Sequence, residues 1–126
     1  MSKKSGKRNR EAGHNWERVC AAILKKFFPF IVTSRSESRS RDNYKIDLMN
    51  RDEYANGVLD FEFQCKNYSK LLRYDQVLNE MPGKGMKVVL HKHTERRKNR
   101  FYEIGRYAIM EMDDFIKLLE KCGYGH

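Results

Sequence analysis

Between Leu59 and Lys66 the chain alternates apolar and polar residues without a break. Leu59, Phe61, Phe63 and Cys65 fall on one side of an extended strand, and Asp60, Glu62, Gln64 and Lys66 on the other. A period of two is incompatible with a helix, so the chain must build a sheet and bury at least the Leu59/Phe61/Phe63/Cys65 side. The other side lines up two carboxylates, an amide and an amine. In an antiparallel hairpin with one covered face, that side simply meets water.

The residues around this strand set its partners. Lys45 to Asn50 reads as a preceding strand, and Asn56-Gly57 between the two is a turn signal, so a hairpin is expected. Upstream, Trp16, Val19, Cys20, Ile23 and Phe27 recur at helical spacing, with Asn15 as cap and Pro29 as stop. Phe30 to Thr33 is a short β-branched strand, and Arg35 to Arg41 has no apolar residue and reads as a loop. Downstream, Leu71, Tyr74, Leu78 and Met81 mark a short helix that must end before Pro82. Lys87 to His91 is a compact strand, a basic segment follows to Arg106, and Tyr107 to Met112 is a last strand. Phe115, Leu118, Leu119 and Cys122 give a final helix capped by Asp113 or Asp114. The expected order is αβββαββα around a mixed sheet, an α/β fold.

With 126 residues, 40% of them hydrophobic, the chain has material for one core and not two. Residues 1–14, rich in Lys and Arg and nearly free of apolar side chains, are expected as a disordered basic arm, and 15–126 as the single domain. The 26 basic residues against 17 acidic ones leave a net charge of +9 without any contribution from histidine, which points to a polyanionic partner. No segment has the length and apolarity of a membrane span, and no apolar run follows the basic N-terminus. Cys20, Cys65 and Cys122 are odd in number and widely spaced, which fits neither a disulfide framework nor a zinc site. A reducing, cytoplasmic setting is expected. His91 and His93 share a strand face but lack further ligands at zinc spacing.

Asp47 stands between Ile46 and Leu48, where an unpaired charge in a sheet is costly, so it needs a partner. A two-residue turn at Asn56-Gly57 sets Asp47 opposite Lys66 and diagonal to Gln64; a looser loop slides that pairing by a few residues. These three suit phosphodiester hydrolysis. Carboxylate and amide oxygens hold a hard cation such as Mg²⁺, with Mn²⁺ as substitute, and such a cation stabilises both attacking water and leaving alkoxide. Lys66 supplies a compact charge to position water or to meet negative charge in the transition state.

Asp47 followed by Gln64-Cys65-Lys66 resembles the PD-(D/E)xK nuclease motif in its (E/Q)xK form. The order of elements from Asn15 to His91 resembles the core of that family, a restriction-endonuclease-like αβββαβ, here with an extra C-terminal strand and helix. Within it the chain looks most like archaeal and phage Holliday-junction resolvases, whose Glu-Arg pair in the first helix and Arg at the end of the first strand match Glu17, Arg18 and Arg35. The resemblance implies that Glu17 completes a metal site with Asp47 and Gln64, that the Cys65 carbonyl also ligates, and that Arg18 and Arg35 hold phosphate. Resolvases usually carry glutamate where this chain has Gln64, and Glu62, two residues earlier, is expected to compensate. Ser36, Arg39 and Arg41 fall where resolvases contact DNA. Arg96, Arg97 and Arg100, followed by Phe101 and Tyr102, add phosphate contacts and a stacking or dimer-packing surface. The expected activity is a Mg²⁺-dependent endodeoxyribonuclease, a homodimer making paired symmetric nicks in a four-way DNA junction. Another endonuclease of the same superfamily, restriction-like, nicking or repair, and a non-catalytic nucleic-acid-binding module are the alternatives.

Overall fold

The computed structural model describes residues 3–37 and 45–125. Along them run α1 (Lys3–Leu24), β1 (Ile31–Thr33), α2 (Ser34–Glu37), β2 (Leu48–Asn50), α3 (Glu53–Asn56), β3 (Phe61–Tyr68), α4 (Tyr74–Asn79), β4 (Met86–Arg97), β5 (Arg100–Met110) and α5 (Met112–Lys121). The strands form one mixed sheet in the order β1-β2-β3-β4-β5. Only β3 and β4 are parallel; the other neighbours are antiparallel. The expected mixed α/β order is present, with two single helical turns, α2 and α3, added to it. No described helix is long and apolar enough to cross a membrane.

The parallel β3–β4 pair explains why both faces of β3 are covered. A parallel connection must cross over the sheet, and here α4 makes the crossing. Trp16 and Cys20 of α1 pack on one face against Ile31, Leu48, Phe63 and Val88. Val77 and Leu78 of α4, with Met81, pack on the other face against Val89. The middle of the polar side of β3 therefore does not meet water: Glu62 and Gln64 are 6% and 2% exposed.

Three local expectations change. The hairpin loop is not a two-residue turn, because Asp52 and Gly57, with φ of 47° and 81°, bracket the helical turn α3. The Asn50 side chain donates to the Gly57 carbonyl at 3.0 Å and closes this wider loop. The register slides accordingly: Leu48 faces Phe63, and Asp47 comes opposite Gln64 rather than Lys66. The first helix starts at Lys3 rather than at a cap on Asn15, so the segment expected as a disordered arm is helical from Lys3, with Arg8 to Ala12 exposed. Lys, Arg, Glu and Ala make up most of the added turns, which extend a helix that Trp16 and Cys20 anchor, although Gly6 and Gly13 interrupt them. The basic segment after His91 belongs to β4 and β5, and α5 starts after Glu111 with Asp113 and Asp114 in its first turn rather than at its cap.

Candidate active site

Strands β1, β2 and β3 deliver one row of polar residues. Thr33, Leu48 and Phe63 are cross-strand neighbours, and one residue beyond them come Ser34, Asp47 and Gln64. The Ser34 N–H donates to the Asp47 carbonyl and the Asp47 N–H to the Phe63 carbonyl, each at 2.8 Å. Asp47 Oδ2 accepts the Cys65 N–H at 2.7 Å. The carboxylate thus occupies the place of a backbone acceptor where β2 gives out, which fixes it against residues 63–65.

On both sides of Asp47 the row holds buried oxygens that find no partner among the described residues. Ser34 is 0% and Gln64 2% exposed, and among the described residues Ser34 Oγ and Gln64 Oε1 have no hydrogen-bond partner. Each such atom costs about 1–3 kcal/mol. The register thus sets a hydroxyl, a carboxylate and an amide side by side, oxygen donors of the kind that hard divalent cations take. Sequence reasoning missed Ser34 because a serine entering a Ser/Arg run reads as loop.

Glu17 approaches from the α1 side. It is 7% exposed, and its oxygens accept from Arg35 Nη2 at 3.3 Å and Nε at 3.5 Å. His14, Glu17, Arg18, Thr33, Arg35 and Ser36 line a cavity of about 250 Å³. Helix and first strand thus bring together four of the residues named from the resemblance, Glu17, Arg18, Arg35 and Ser36. The Cys65 thiol links this side to the row. Its pKa is pushed well above the usual thiol range by a hydrogen bond with Cys20, then by burial, then by the negative charges of Cys20, Asp47 and Glu17.

Lys66 is half-buried, with Nζ 5.8 Å from the Tyr68 ring, and it makes no ion pair among the described residues. With Tyr68, Lys92, Phe101 and Asn9 it lines a cleft of about 700 Å³. A cleft of about 750 Å³ lies elsewhere, between Val58–Asp60 and α5, with acidic and basic residues mixed along it.

Glu62 does not join the row. Its two oxygens accept the N–H groups of Gly83 and Gly85, each at 2.8 Å, and Lys87 Nζ stands 3.6 Å away. A β-carbon at Gly83 would lie 2.6 Å from the carboxylate. The expected compensation for Gln64 is thus corrected, because Glu62 is committed to the turn that leads into β4. His91 is also committed: Nδ1 is 2.8 Å from the Tyr74 hydroxyl and Nε2 3.1 Å from the Tyr68 carbonyl. Burial holds its pKa below the ordinary histidine value. Arg96, Arg97 and Arg100 lie apart, at the far end of β4 and β5, and Arg39 and Arg41 lie outside the described residues.

Among the described residues no three His, Cys, Asp or Glu side chains converge as a metal cluster. The row beside Asp47 contains one carboxylate and two neutral oxygens, with Glu17 on the neighbouring helix. Comparison with known proteins finds no matching family model, curated protein or solved structure.

Proposed function

We propose that this chain is a metal-dependent DNA endonuclease built on a restriction-endonuclease-like core, with Asp47, Gln64 and Lys66 at its reaction centre. One observation carries the reading: among the described residues, Ser34 Oγ and Gln64 Oε1 are buried without hydrogen-bond partners at the two positions that flank Asp47 across the strands. Buried oxygens of this kind are ones a hard cation would satisfy. The resemblance of Asp47 and Gln64-Cys65-Lys66 to the PD-(D/E)xK motif supports the same assignment independently of the coordinates.

Asp47 and Gln64 would hold Mg²⁺ or Mn²⁺, with Glu17, the Cys65 carbonyl and Ser34 as further oxygen donors. When bound, the cation supplies charge stabilisation to the attacking water and the leaving alkoxide. The chain's own groups do the rest. Lys66 orients water by hydrogen bonding and offsets the charge that builds on the phosphate. Arg18 and Arg35 bind the flanking phosphates, and Arg35, paired with Glu17, also fixes the direction of that carboxylate. The buried positions of Glu17 and Gln64 strengthen the interactions made there relative to water.

The preferred substrate in this reading is a four-way junction cut by a homodimer, since a two-fold substrate matches a pair of identical sites. A synthetic junction with Mg²⁺ should give paired symmetric nicks. Asp47→Asn should lower the rate on the order of 10²- to 10³-fold or more while the far-ultraviolet circular dichroism and melting temperature hold. Equal cutting of linear duplex would remove the resolvase assignment and leave a nuclease of the same superfamily. Undiminished cutting by Asp47→Asn would remove the site.

A further inference from the structure

The β3–β4 ladder ends at Tyr68 and His93, but β4 and β5 continue as a pair to Arg97 and Arg100. A register shift at His93/Thr94 marks the point where this two-stranded arm leaves the sheet. Its tip is a two-residue turn, Lys98-Asn99, with φ of 45° and 68°. Such turns need positive φ at both positions and favour Asn-Gly; lysine is poorly suited to the first. Arg97 lies directly across from Arg100, a like-charge pair that weakens a hairpin.

Glu95 pairs with Arg97 at 2.9 Å, and Glu103 with Arg106 at 2.9 Å. Among the described residues Arg96, Lys98 and Arg100 have no carboxylate partner. Phe101 and Tyr102, 61% and 46% exposed, point to opposite sides of the ribbon. The unpaired cations, the Arg97–Arg100 pair and the exposed rings do not serve the core. A polyanion would turn the like-charge repulsion among the cations into attraction.

The arm also has a fixed place relative to the candidate site. Thr94, Phe101 and Glu103 at its base line the same cleft of about 700 Å³ as Lys66 and Lys92. A nucleic-acid backbone lying at Lys66 runs past the arm. We propose that the β4–β5 arm inserts into the major groove of duplex DNA beside the cut position. Arg96, Lys98 and Arg100 meet phosphates on the groove walls, and Phe101 and Tyr102 lie against sugars and base edges. The major groove of B-form DNA is wide enough for a two-stranded ribbon, whereas that of duplex RNA is too narrow. The location beside the cut rests on the nuclease reading; the groove contact does not.

The test is binding of wild-type protein to duplex DNA without divalent cation, over a series of KCl concentrations, beside a variant carrying Arg96→Gln, Lys98→Gln and Arg100→Gln. Losing three phosphate contacts should reduce the slope of log Kd against log salt by about 2.7. Affinity should fall by about 10-fold or more, with the melting temperature unchanged or raised. A second variant, Arg96→Lys with Arg100→Lys, should keep the slope. Guanine N7, which faces the major groove, should be protected from dimethyl sulfate by wild type and not by the glutamine variant.

An unchanged slope would overturn the proposal, as would absence of N7 protection in wild type, or an equal loss of affinity for duplex RNA. A change in oligomer mass with DNA affinity intact would instead make the arm a self-association surface. If no divalent cation supports cutting but slope and N7 protection are lost as stated, the arm stands and the nuclease reading falls.

Discussion

Strands β3 and β5 belong to one sheet, yet they invert the usual placing of polar and apolar residues. The interior of β3 holds Glu62 and Gln64, both almost fully buried, whereas β5 exposes Phe101, Tyr102, Ile104 and Tyr107. Position in the sheet accounts for the burial: β3 is central and covered on both faces, while β5 is the last strand and its outer edge is open. It does not account for the residue types. Glu62 is accounted for by the turn it holds, whereas the buried Gln64 and the exposed rings of β5 are what selection for something other than stability leaves behind.

The comparison is sharpest where a single carboxylate can be removed from each strand. Glu62→Ala should cost about 3–5 kcal/mol, because the Gly83 and Gly85 N–H groups lose their acceptor and Lys87 its counter-charge. Glu103→Ala on β5 removes a surface pair with Arg106 and should change stability by about 0–1 kcal/mol. Urea titrations of the two variants measure both. Similar losses would mean that the buried polar groups of β3 are no more engaged than those of the exposed strand.

A smaller effect separates the strands by pH. His91, on β4 between them, is neutral in the folded protein: Nε2–H donates to the Tyr68 carbonyl and Nδ1 accepts from the Tyr74 hydroxyl. Burial is the main cause of its lowered pKa. The unfolded chain then binds a proton that the native state refuses, so this contribution is complete above the ordinary value of 6.5. It is lost as pH falls from there through the folded value. The urea midpoint should decline on acidification across that range, and His91→Gln, which does not titrate, should flatten the decline. An equally steep curve for the variant would assign the acid sensitivity to other groups.

The β3 strand was legible in the sequence because its alternation and the Asp47–Gln64–Lys66 spacing are local patterns. The burial of its polar side was not, since that depends on β3 pairing in parallel with a strand more than twenty residues away. Glu17 shows the same limit. It flanks an apolar stripe and reads as a solvated helix residue, and only the packing of α1 against β1 brings it to Arg35. The reverse error occurred for Ile23 and Phe27. Their spacing fits the helical face, but the chain turns away after Leu24, leaving them 47% and 64% exposed while Leu24 and Phe28 pack instead. The register of the β2–β3 pair was misplaced by a loop whose short helix has no strong sequence mark. The length of β4 and β5 was hidden by charge, because Arg96 to Arg100 carries none of the apolar alternation by which strands are recognised.

That last segment yields the smallest and most discriminating prediction. Lys98 holds φ at 45°, a conformation that glycine adopts without strain and lysine does not. Lys98→Gly removes the strain but adds freedom to the unfolded chain, so the net gain should be about 0.5–1 kcal/mol, seen as a rise of a few degrees in melting temperature. The same change deletes one cation at the tip, and the salt slope of DNA binding should fall by about 0.9. Stability up and binding down from one substitution is the trade expected where function, not folding, chose the residue. If Lys98→Gly lowers the melting temperature, the turn is held by contacts of the lysine itself, and the arm resembles β3 more than the contrast between the two strands allows.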